Sequence, residues 1–304
     1  MKTSVGIIGM GWVGSSVAIS VLHSGIVEEL LVHDLRSEVA EGEAMDLAQG
    51  STFYPMATVR VATIAEMRQA SAIVVAVGHG SLPGGKSRLK QLAQNVGIVR
   101  EIGAALRGYA GIVVVVSNPV DVLTHALRDA AGLPSSRVIG TGTMLDTARL
   151  RQMVAQELHL DSRSIHAHVL GEHGDSEVVL WSAARVGGSR LAEWPGWSSE
   201  LADRIADAVR VAGYEIVKRK GTSNHAIGLV TAQLLRGVLR DERTVLTVSR
   251  VQTEIEGFND VALSLPAVVG ADGASLVVLP EMSGPERAAL ERSADILRAA
   301  RSSV

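Results

Sequence analysis

The chain has 304 residues, with 29 basic and 32 acidic side chains and a formal net charge of −3. That length is enough for two compact domains, and the charge argues against a general nucleic-acid binder, which is usually basic. The sequence contains no cysteine, so disulfides and thiolate chemistry are excluded. No apolar stretch approaches the ~18 residues that a membrane helix needs. We therefore expect a cytoplasmic enzyme with no nucleic-acid or membrane partner.

The N-terminal segment has the pattern of a dinucleotide-binding unit. An apolar run over Ser4–Ile8 leads into a GxGxxG turn from Gly9 to Gly14. A helical pattern follows, and a second apolar run, Leu30–His33, ends at Asp34. Strand, glycine turn, helix, strand and acid in this order are typical of a site for a dinucleotide such as NAD. The alternative is a tight turn that binds nothing.

The residues of this turn have predicted tasks in cofactor binding. Gly9 makes the turn, Gly11 lets the backbone approach the pyrophosphate, and Gly14 lets helix and strand pack closely. Val13 belongs to the same turn and is also predicted to contact the cofactor. Asp34 is expected to accept hydrogen bonds from ribose hydroxyls and to repel a 2′-phosphate, which favours NAD over NADP.

The alternation of strands and helices continues to about residue 140. Helices are predicted at 37–49 and 88–107, and the apolar runs predict strands at Val59–Ala62, Ala72–Val77 and Ile112–Val116. We predict an α/β Rossmann fold, a doubly wound parallel sheet, over residues 1–140. Asn118 follows a strand at the carboxyl end, where such sheets bind ligands. Its alternative role is that of a turn residue before proline.

One motif in this half suggests a different activity. Gly80–Ser87 matches GxxxxGK[ST], the phosphate-binding P-loop, and it follows a strand and precedes a helix. A P-loop NTPase also needs a strand-terminal aspartate for magnesium, whereas the strand Ile112–Val116 ends in Ser-Asn. We favour a glycine-rich mobile lid that carries a functional arginine, Arg88.

The pattern changes in the second half of the chain, where several predicted strands follow one another without helices between them. The predicted helices are 143–159, 198–219, 223–239 and Ser283 to about Arg301. The predicted strands are Ile165–Leu170, Val178–Val186, Thr244–Arg250, Val261–Leu265 and Ala274–Val278. This order predicts an α+β substrate domain, which we assign to residues 141–304.

Three residues of this half suggest acid–base chemistry. Asp146 and Arg149 are three apart in a helix-forming run and share one face. His173 lies beyond one helix and a short return strand, so it can come back near the start of that helix. A carboxylate beside a histidine favours the imidazolium and fixes its tautomer, and an arginine can clamp a carboxylate with two hydrogen bonds. The set predicts a site that holds a small carboxylic acid and transfers one proton. Each residue alone also has a structural explanation. Asp146 could complement the dipole at the start of a helix, Arg149 could pair with an acid at the surface, and His173 could be a hydrogen-bonded core residue.

Five separate motifs carry a family resemblance. They are SNPVD at 117–121, GTGTMLDTAR at 140–149, GEHGDS at 171–176, KGTSNHAIG at 220–228 and SLPAVVG at 264–270. With them the chain resembles the NAD-dependent L-lactate/L-malate dehydrogenase family over almost its entire length. The resemblance implies an oxidoreductase that uses NAD, a small 2-oxo or 2-hydroxy carboxylic acid as substrate, and a homotetramer.

The resemblance also implies residue roles. His173 is the proton donor and acceptor, Asp146 orients it, and Arg149 binds the substrate carboxylate. Arg88 polarises the substrate carbonyl, and Asn118 hydrogen-bonds the same oxygen and touches the nicotinamide ribose. The remaining implied positions are Ser223 in the substrate pocket and, around the cofactor, Gly78, Ser117, Asn118 and Ile227.

The sequence also suggests an effector site and a metal site, and each has an alternative explanation. By the same resemblance, Arg151 and His166 match positions that bind fructose 1,6-bisphosphate in bacterial lactate dehydrogenases, and the alternative is two exposed basic residues. His166, His168 and His173 are close enough in sequence to suggest zinc, which needs three or four such ligands. Because the oxidoreductase interpretation already uses His173, we expect no metal.

Several positions bear on which 2-oxo acid is the substrate. GEHGDS is the form of the motif found in lactate dehydrogenases. In the segment GHGSLPGGKSR, residues 78–88, Ser81 or Leu82 stands near the position that reads the substrate tail, and no arginine lies there. This argues against oxaloacetate, whose second carboxylate needs a positive partner. Leu82 could favour a bulkier aliphatic side chain, and Thr222 and His225 depart from the family pattern. We therefore predict an L-lactate dehydrogenase, with L-2-hydroxyisocaproate dehydrogenase as the alternative. A third alternative is a dinucleotide-binding sensor that has lost catalysis.

Overall fold

Strands and helices alternate through the first half of the chain, as the apolar runs predict. The structure is a computed structural model that describes residues 2–78, 88–253, 255 and 257–304 and, at 88–91, the backbone alone. The strands are β1 (Ser4–Ile8), β2 (Glu29–His33), β3 (Thr58–Val61), β4 (Ala72–Val75), β5 (Ile112–Val115) and β6 (Val138–Gly140). The helices are α1 (Trp12–Ser24), α2 (Ser37–Gln49), α3 (Ile64–Met67), α4 (Arg88–Ala105) and α5 (Val120–Ala131).

These strands form a parallel sheet in the order β6-β5-β4-β1-β2-β3. β4 and β5 have the sequences AIVV and IVVV, and all of their residues are buried, as expected when helices cover both faces of a parallel sheet. The strand order reverses between β1 and β4, and such sheets bind ligands in the crevice at that point. The predicted doubly wound Rossmann arrangement is confirmed.

The sequence interpretation missed helix α5. It begins after Pro119 and ends before Gly132, whose φ of 63° is left-handed. It is buried along most of its length, including the polar residues Asp121, Thr124 and His125. Its apolar residues Val120, Leu123, Leu127 and Ala131 recur at helical spacing, so the sequence did carry a signal for this helix that the interpretation did not use.

The second half mixes long helices with short strands. Its helices are α6 (Met144–Leu158), α7 (Ser199–Lys220), α8 (His225–Leu239) and α9 (Gly284–Ser302). Its short strands are β7 (Ile165–His166), β8 (Val169–Leu170), β9 (Val178–Val179), β10 (Arg185–Val186) and β11 (Ser189–Arg190). Its longer strands are β12 (Thr244–Val251), β13 (Ala262–Gly270) and β14 (Gly273–Val277).

Two of the predicted strands are each broken in two. The run predicted at Ile165–Leu170 forms β7 and β8, and the run predicted at Val178–Val186 forms β9 and β10. β7 pairs with β10 in a small sheet that also contains β11, whereas β8 pairs with β9 in a separate two-stranded sheet. Each run changes its partner midway, so neither continues as one strand.

The antiparallel strands of the second half extend the parallel sheet of the first. β12 pairs antiparallel with β6 at Ser249 and Gly140, and β13 and β14 follow at that edge of a nine-stranded sheet. This junction brings α6, which begins just after β6, beside the carboxyl ends of the parallel strands. Within the described part of the chain, no helix is long and apolar enough to span a membrane.

Candidate active site

The glycine turn between β1 and α1 has room for a phosphate at one position and close packing at two others. Gly9 has a φ of 97°, and a Cβ there would lie 2.6 Å from the carbonyl oxygen of Ala76. A Cβ at Gly14 would lie 1.9 Å from the carbonyl oxygen of Gly9. A Cβ at Gly11, which precedes the first residue of α1, would meet nothing within 4 Å. The backbone N–H groups of this helix N-terminus therefore border open space, which fits a pyrophosphate.

Asp34 lies at the end of β2, beside this turn. Its Oδ2 accepts a hydrogen bond from the Met10 N–H at 2.8 Å, and its Oδ1 accepts one from the Arg36 N–H at 3.0 Å. These backbone donors hold the carboxylate against the glycine turn. An anion fixed at this place suits ribose hydroxyls, as the sequence predicts.

The loops after β4 and β5 contain Gly78, Ser117 and Asn118. Ser117 is buried, and its hydroxyl donates to the Val75 carbonyl oxygen at 3.2 Å. The side-chain amide of the buried Asn95 donates to the Asn118 carbonyl oxygen at 3.1 Å. A Cβ at Gly78 would lie 3.5 Å from the same Asn95 amide. Asn95, which sequence reasoning missed, thus packs against both loops.

Helix α8 packs closely against α1, the helix that follows the glycine turn. A Cβ at Gly228 would lie 2.5 Å from the Ser16 carbonyl oxygen. The buried Asn224 donates to the Ser16 hydroxyl at 2.8 Å and accepts from Lys220 Nζ at 2.6 Å. Asn224 was not predicted, because its partner Ser16 is 208 residues away.

This helix pair positions two further predicted residues. Ile227, on α8, is partly buried and packs against the same core cluster as Val13 on α1. Ser223 is partly buried just before α8. The structure thus places both beside the cofactor half of the molecule.

Asp146 connects His173 and Arg149, the predicted proton donor and the predicted substrate arginine. It lies in the first turn of α6 and is 2% exposed. Its Oδ2 lies 2.5 Å from His173 Nδ1, and its Oδ1 accepts from Arg149 Nη1 at 2.8 Å. With Nδ1 directed at the carboxylate, Nε2 is the ring nitrogen that can exchange a proton with a ligand.

Electrostatics keep this histidine protonated. Burial by itself would lower the pKa of His173, but the charge and hydrogen bond of Asp146, together with Asp121, raise it to about 9. Burial would raise the pKa of Asp146, and His173 and Arg149 overcome that effect and lower it. At neutral pH the pair is therefore an imidazolium beside a carboxylate, which is the form that can donate a proton.

A second carboxylate holds the backbone of the histidine. Asp121, in the first turn of α5, accepts from the His173 N–H at 2.8 Å and is 2% exposed. Burial raises the pKa of Asp121 to about 6, although the hydrogen bond from the His173 backbone and the charge of His173 oppose the rise. The SNPVD motif contains this residue, but sequence reasoning gave it no role.

Helix α7 lies over the arginine side of the site. A Cβ at Gly213 would lie 3.7 Å from Arg149 Nη1, an ordinary van der Waals distance, so the backbone of α7 passes close to the guanidinium. The neighbouring Tyr214 hydroxyl donates to Asp175 Oδ1 at 3.2 Å and fixes the helix against the histidine loop. The side chain of Arg88 and the P-loop-like segment, including Leu82, lie outside the described residues.

The proposed effector residues lie close to one another. Arg151 donates from Nε to the Ala167 carbonyl oxygen at 3.0 Å, and His166 is exposed on β7. Burial, followed by the charges of Arg151 and His166, lowers the pKa of His168 to about 4. Among the described residues no group of three or more His, Asp or Glu side chains is arranged to hold a metal ion, and this includes His166, His168 and His173.

Comparison with known proteins places this geometry in context. Residues 3–140 match the family model of a lactate/malate dehydrogenase NAD binding domain, and residues 143–304 match that of a lactate/malate dehydrogenase alpha/beta C-terminal domain. The chain is 41% identical to an L-lactate dehydrogenase of Salinibacter ruber, over 99% of this chain and 97% of that protein. It is 39% identical to an L-lactate dehydrogenase of Thermus aquaticus, over 99% of both. The crystal structure of a minor L-lactate dehydrogenase from Enterococcus mundtii superposes with a TM-score of 0.95 at 36% identity, covering 99% of this chain and 98% of that one.

Proposed function

The chain belongs to the lactate/malate dehydrogenase family and is an NAD-dependent oxidoreductase, and on that basis we propose that it interconverts pyruvate and L-lactate. The observation that carries the proposal is the Asp146 carboxylate between His173 and Arg149. A 2-oxo acid has a carboxylate that a cation can bind and a carbonyl oxygen that needs a proton donor. Arg149 and His173 can supply these two groups, and both are bonded to the same buried acid. The names of the full-length relatives support pyruvate within that class.

The residues around the glycine turn would hold the cofactor. The N–H groups at the start of α1, beside Gly11, would bind the pyrophosphate, and Asp34 would accept from the adenosine ribose. Asn118 and Ile227 would contact the nicotinamide half. When bound, NAD supplies the redox chemistry of the nicotinamide ring.

The catalytic residues would act on the 2-oxo group. Arg149 binds the substrate carboxylate and orients the molecule. Reduction builds negative charge on the carbonyl oxygen, and His173 Nε2 donates a proton to that oxygen, while Asp146 stabilises the imidazolium. In the opposite direction neutral His173 takes the proton of the alcohol. We assign to Arg88 the polarisation of the carbonyl and to Ser223 a place in the pocket wall.

We assign cofactor binding to residues 1–140 and substrate binding to residues 141–304. The first part contains the glycine turn and Asp34, and the second contains Arg149 and His173. We place the enzyme in the cytoplasm, where glycolysis supplies pyruvate.

The substrate assignment is tested by NADH oxidation with pyruvate, 2-oxoisocaproate and oxaloacetate measured side by side. We expect pyruvate to have the highest kcat/KM. A higher value for 2-oxoisocaproate would instead indicate an L-2-hydroxyisocaproate dehydrogenase, in which an apolar Leu82 accommodates the longer side chain. A higher value for oxaloacetate would contradict the argument that its second carboxylate lacks a positive partner.

We propose that the enzyme is a homotetramer. Large apolar side chains remain exposed on the helices α1, α2, α7 and α8, and exposed apolar surface is typical of subunit contacts. They are Ile19, Met45, Val211, Tyr214, Val217 and Leu229. Light scattering coupled to size exclusion should give about four times the chain mass of 31.9 kDa. A monomeric mass would contradict this proposal.

We also propose that fructose 1,6-bisphosphate binds near Arg151 and His166. His166 lies opposite Arg185 across β7 and β10, and Arg185 lies opposite Arg190 across β10 and β11. Arg185 and Arg190 carry like charges directly opposite each other, which destabilises a sheet, so a bound polyanion would relieve the repulsion between them. The half-buried Arg151 adds a further positive charge beside β7, where it is bonded to the Ala167 carbonyl oxygen.

The effector proposal is tested by the pyruvate KM with and without fructose 1,6-bisphosphate. We expect the bisphosphate to lower KM, and Arg151→Gln or His166→Gln to remove the response. Arg219→Gln, at an exposed site on α7, is the control and should retain it. A wild-type enzyme that does not respond would overturn the proposal.

A further inference from the structure

Glu177 is a buried acid that the proposed reaction does not use. It lies four residues beyond His173, just before β9, and is 7% exposed. Its backbone N–H bonds to the Gly174 carbonyl oxygen at 3.2 Å. Its side-chain Oε1 is buried and has no hydrogen-bond partner among the described residues. An ionised carboxylate in such a position is costly, so burial favours the neutral acid.

The other acids of the same loop are satisfied. Glu172 Oε2 accepts from the Ser176 hydroxyl at 2.5 Å and from its N–H at 3.2 Å. Asp175 accepts from the Tyr214 hydroxyl at 3.2 Å. Glu177 differs from both, because it turns inward without a donor that would stabilise a negative charge on Oε1.

The charged groups that act on Glu177 include the groups of the proposed active site. From α6, Asp146 repels a charge on this carboxyl and Arg149 attracts it, and His173 attracts it from the catalytic loop. From α7, Arg210 also attracts it, although that guanidinium is already paired with an exposed acid of its own helix at 2.7 Å.

The balance of these effects keeps the acid neutral. Burial, with the charge of Asp146 added to it, raises the pKa of Glu177 to about 8, against the opposing influence of His173, Arg210 and Arg149. Glu177 is therefore protonated at neutral pH, and it becomes an anion within the alkaline range in which His173 still holds its proton.

We propose that Glu177 is a positioning residue for substrate binding, whose neutral carboxyl leaves Arg149 and His173 available to the carboxylate and carbonyl of a 2-oxo acid. This inference rests on the proposed function. An ionised Glu177 would add a negative charge beside both cations. It would then compete with the substrate carboxylate for Arg149, while the cofactor site around α1 would be unaffected. Ionisation should therefore raise KM for the 2-oxo acid and leave the affinity for NADH unchanged.

The test compares Glu177→Gln with the wild type, using pyruvate and NADH from pH 6 to pH 9.5. If the ionised form does not bind substrate, KM of the wild type rises about tenfold per pH unit above the pKa of this acid. At pH 6.5 the two proteins should have equal kcat and KM. Near pH 9 the variant should have a KM roughly three- to tenfold lower than the wild type, because the KM of the variant begins to rise only when His173 loses its proton. Glu193→Gln makes the same change at an exposed acid and should follow the wild type.

The outcomes separate this inference from the proposed function. Superimposable pH profiles of KM would overturn the role of Glu177 and leave the proposed reaction standing. A large fall in kcat at pH 6.5 would also overturn it, because the carboxyl would then act in the chemistry. A wild type that reduces no 2-oxo acid at any pH would overturn the proposed function itself. If Glu177→Gln does not fold, Glu177→Met removes the same ionisable group and gives the same test.

Discussion

Replacing Asp146 by asparagine tests whether this residue acts through its charge. Asparagine keeps the shape and an oxygen for Arg149 but removes the carboxylate that, with its hydrogen bond, raises the pKa of His173 from 6.5 to about 9. A pKa difference of this size corresponds to about 3 kcal/mol. At pH 7.5 nearly all of the wild-type histidine is protonated, whereas about one tenth would be in the variant if its pKa returned to 6.5.

The expected result is a pH-dependent loss of activity. In Asp146→Asn, kcat/KM for pyruvate should fall at least about tenfold at pH 7.5, a pH at which Glu177 is mainly neutral. It should recover towards the wild-type value at pH 5.5, where His173 is protonated in both proteins. NADH affinity, measured by fluorescence titration, should not change and serves as the control. A loss of the same size at both pH values would refute the electrostatic argument and leave only a geometric role for Asp146.

Three further predictions follow from contacts and charges. Gly14→Ala should lower the free energy of unfolding by about 2–3 kcal/mol, because its Cβ would lie 1.9 Å from the Gly9 carbonyl oxygen. In Gly11→Ala the added Cβ meets no protein atom within 4 Å, so the Tm should not change, but the methyl group should weaken NADH binding because it enters the space for the pyrophosphate. Equal losses of Tm in Gly14→Ala and Gly11→Ala would contradict the packing argument. Arg149→Lys should raise the pyruvate KM about 100-fold with little change in NADH affinity, because lysine cannot make the two-pronged contact, and a parallel loss of both would rule out this role. In the wild type the folded state holds the Glu177 proton up to about pH 8, whereas the unfolded chain loses it near 4.5. The stability of the wild type therefore falls as pH rises through that window. From pH 5 to pH 8 the Tm of Glu177→Gln should rise relative to that of the wild type, by the equivalent of about 4 kcal/mol at most. A Tm difference that stays constant over this range would show that the acid is not neutral when buried.

Local patterns in the sequence predicted most of the secondary structure. The apolar run Ser4–Ile8 is β1, and the helical pattern at 37–49 is α2. These segments are recognisable because hydrophobic periodicity and glycine turns act over a few neighbouring residues. The runs at 165–170 and 178–186 were predicted as single strands because an apolar run does not show where its pairing partner changes.

The predicted site was recognisable because its members lie in compact motifs. Asp146 and Arg149 share a helix face, and the spacing to His173 allows the return that the structure shows. The contributions of Asp121 and Asn224 could not be predicted, since their partners lie 52 and 208 residues away. A side chain's type and its neighbours in sequence do not reveal such contacts.

By itself, the sequence determined the order of the elements, the glycine turn for a dinucleotide and the types of side chain available for proton transfer. The tertiary structure decided which of those side chains meet and which protonation state each one has. Asp146 and Glu177 are both buried acids, yet the pKa of the first is lowered and that of the second is raised to about 8. The physical reason is that desolvation and Coulomb interactions depend on distances in space. Asp146 is bonded to two cations, whereas Glu177 lies near the same cations without a hydrogen-bond donor for Oε1.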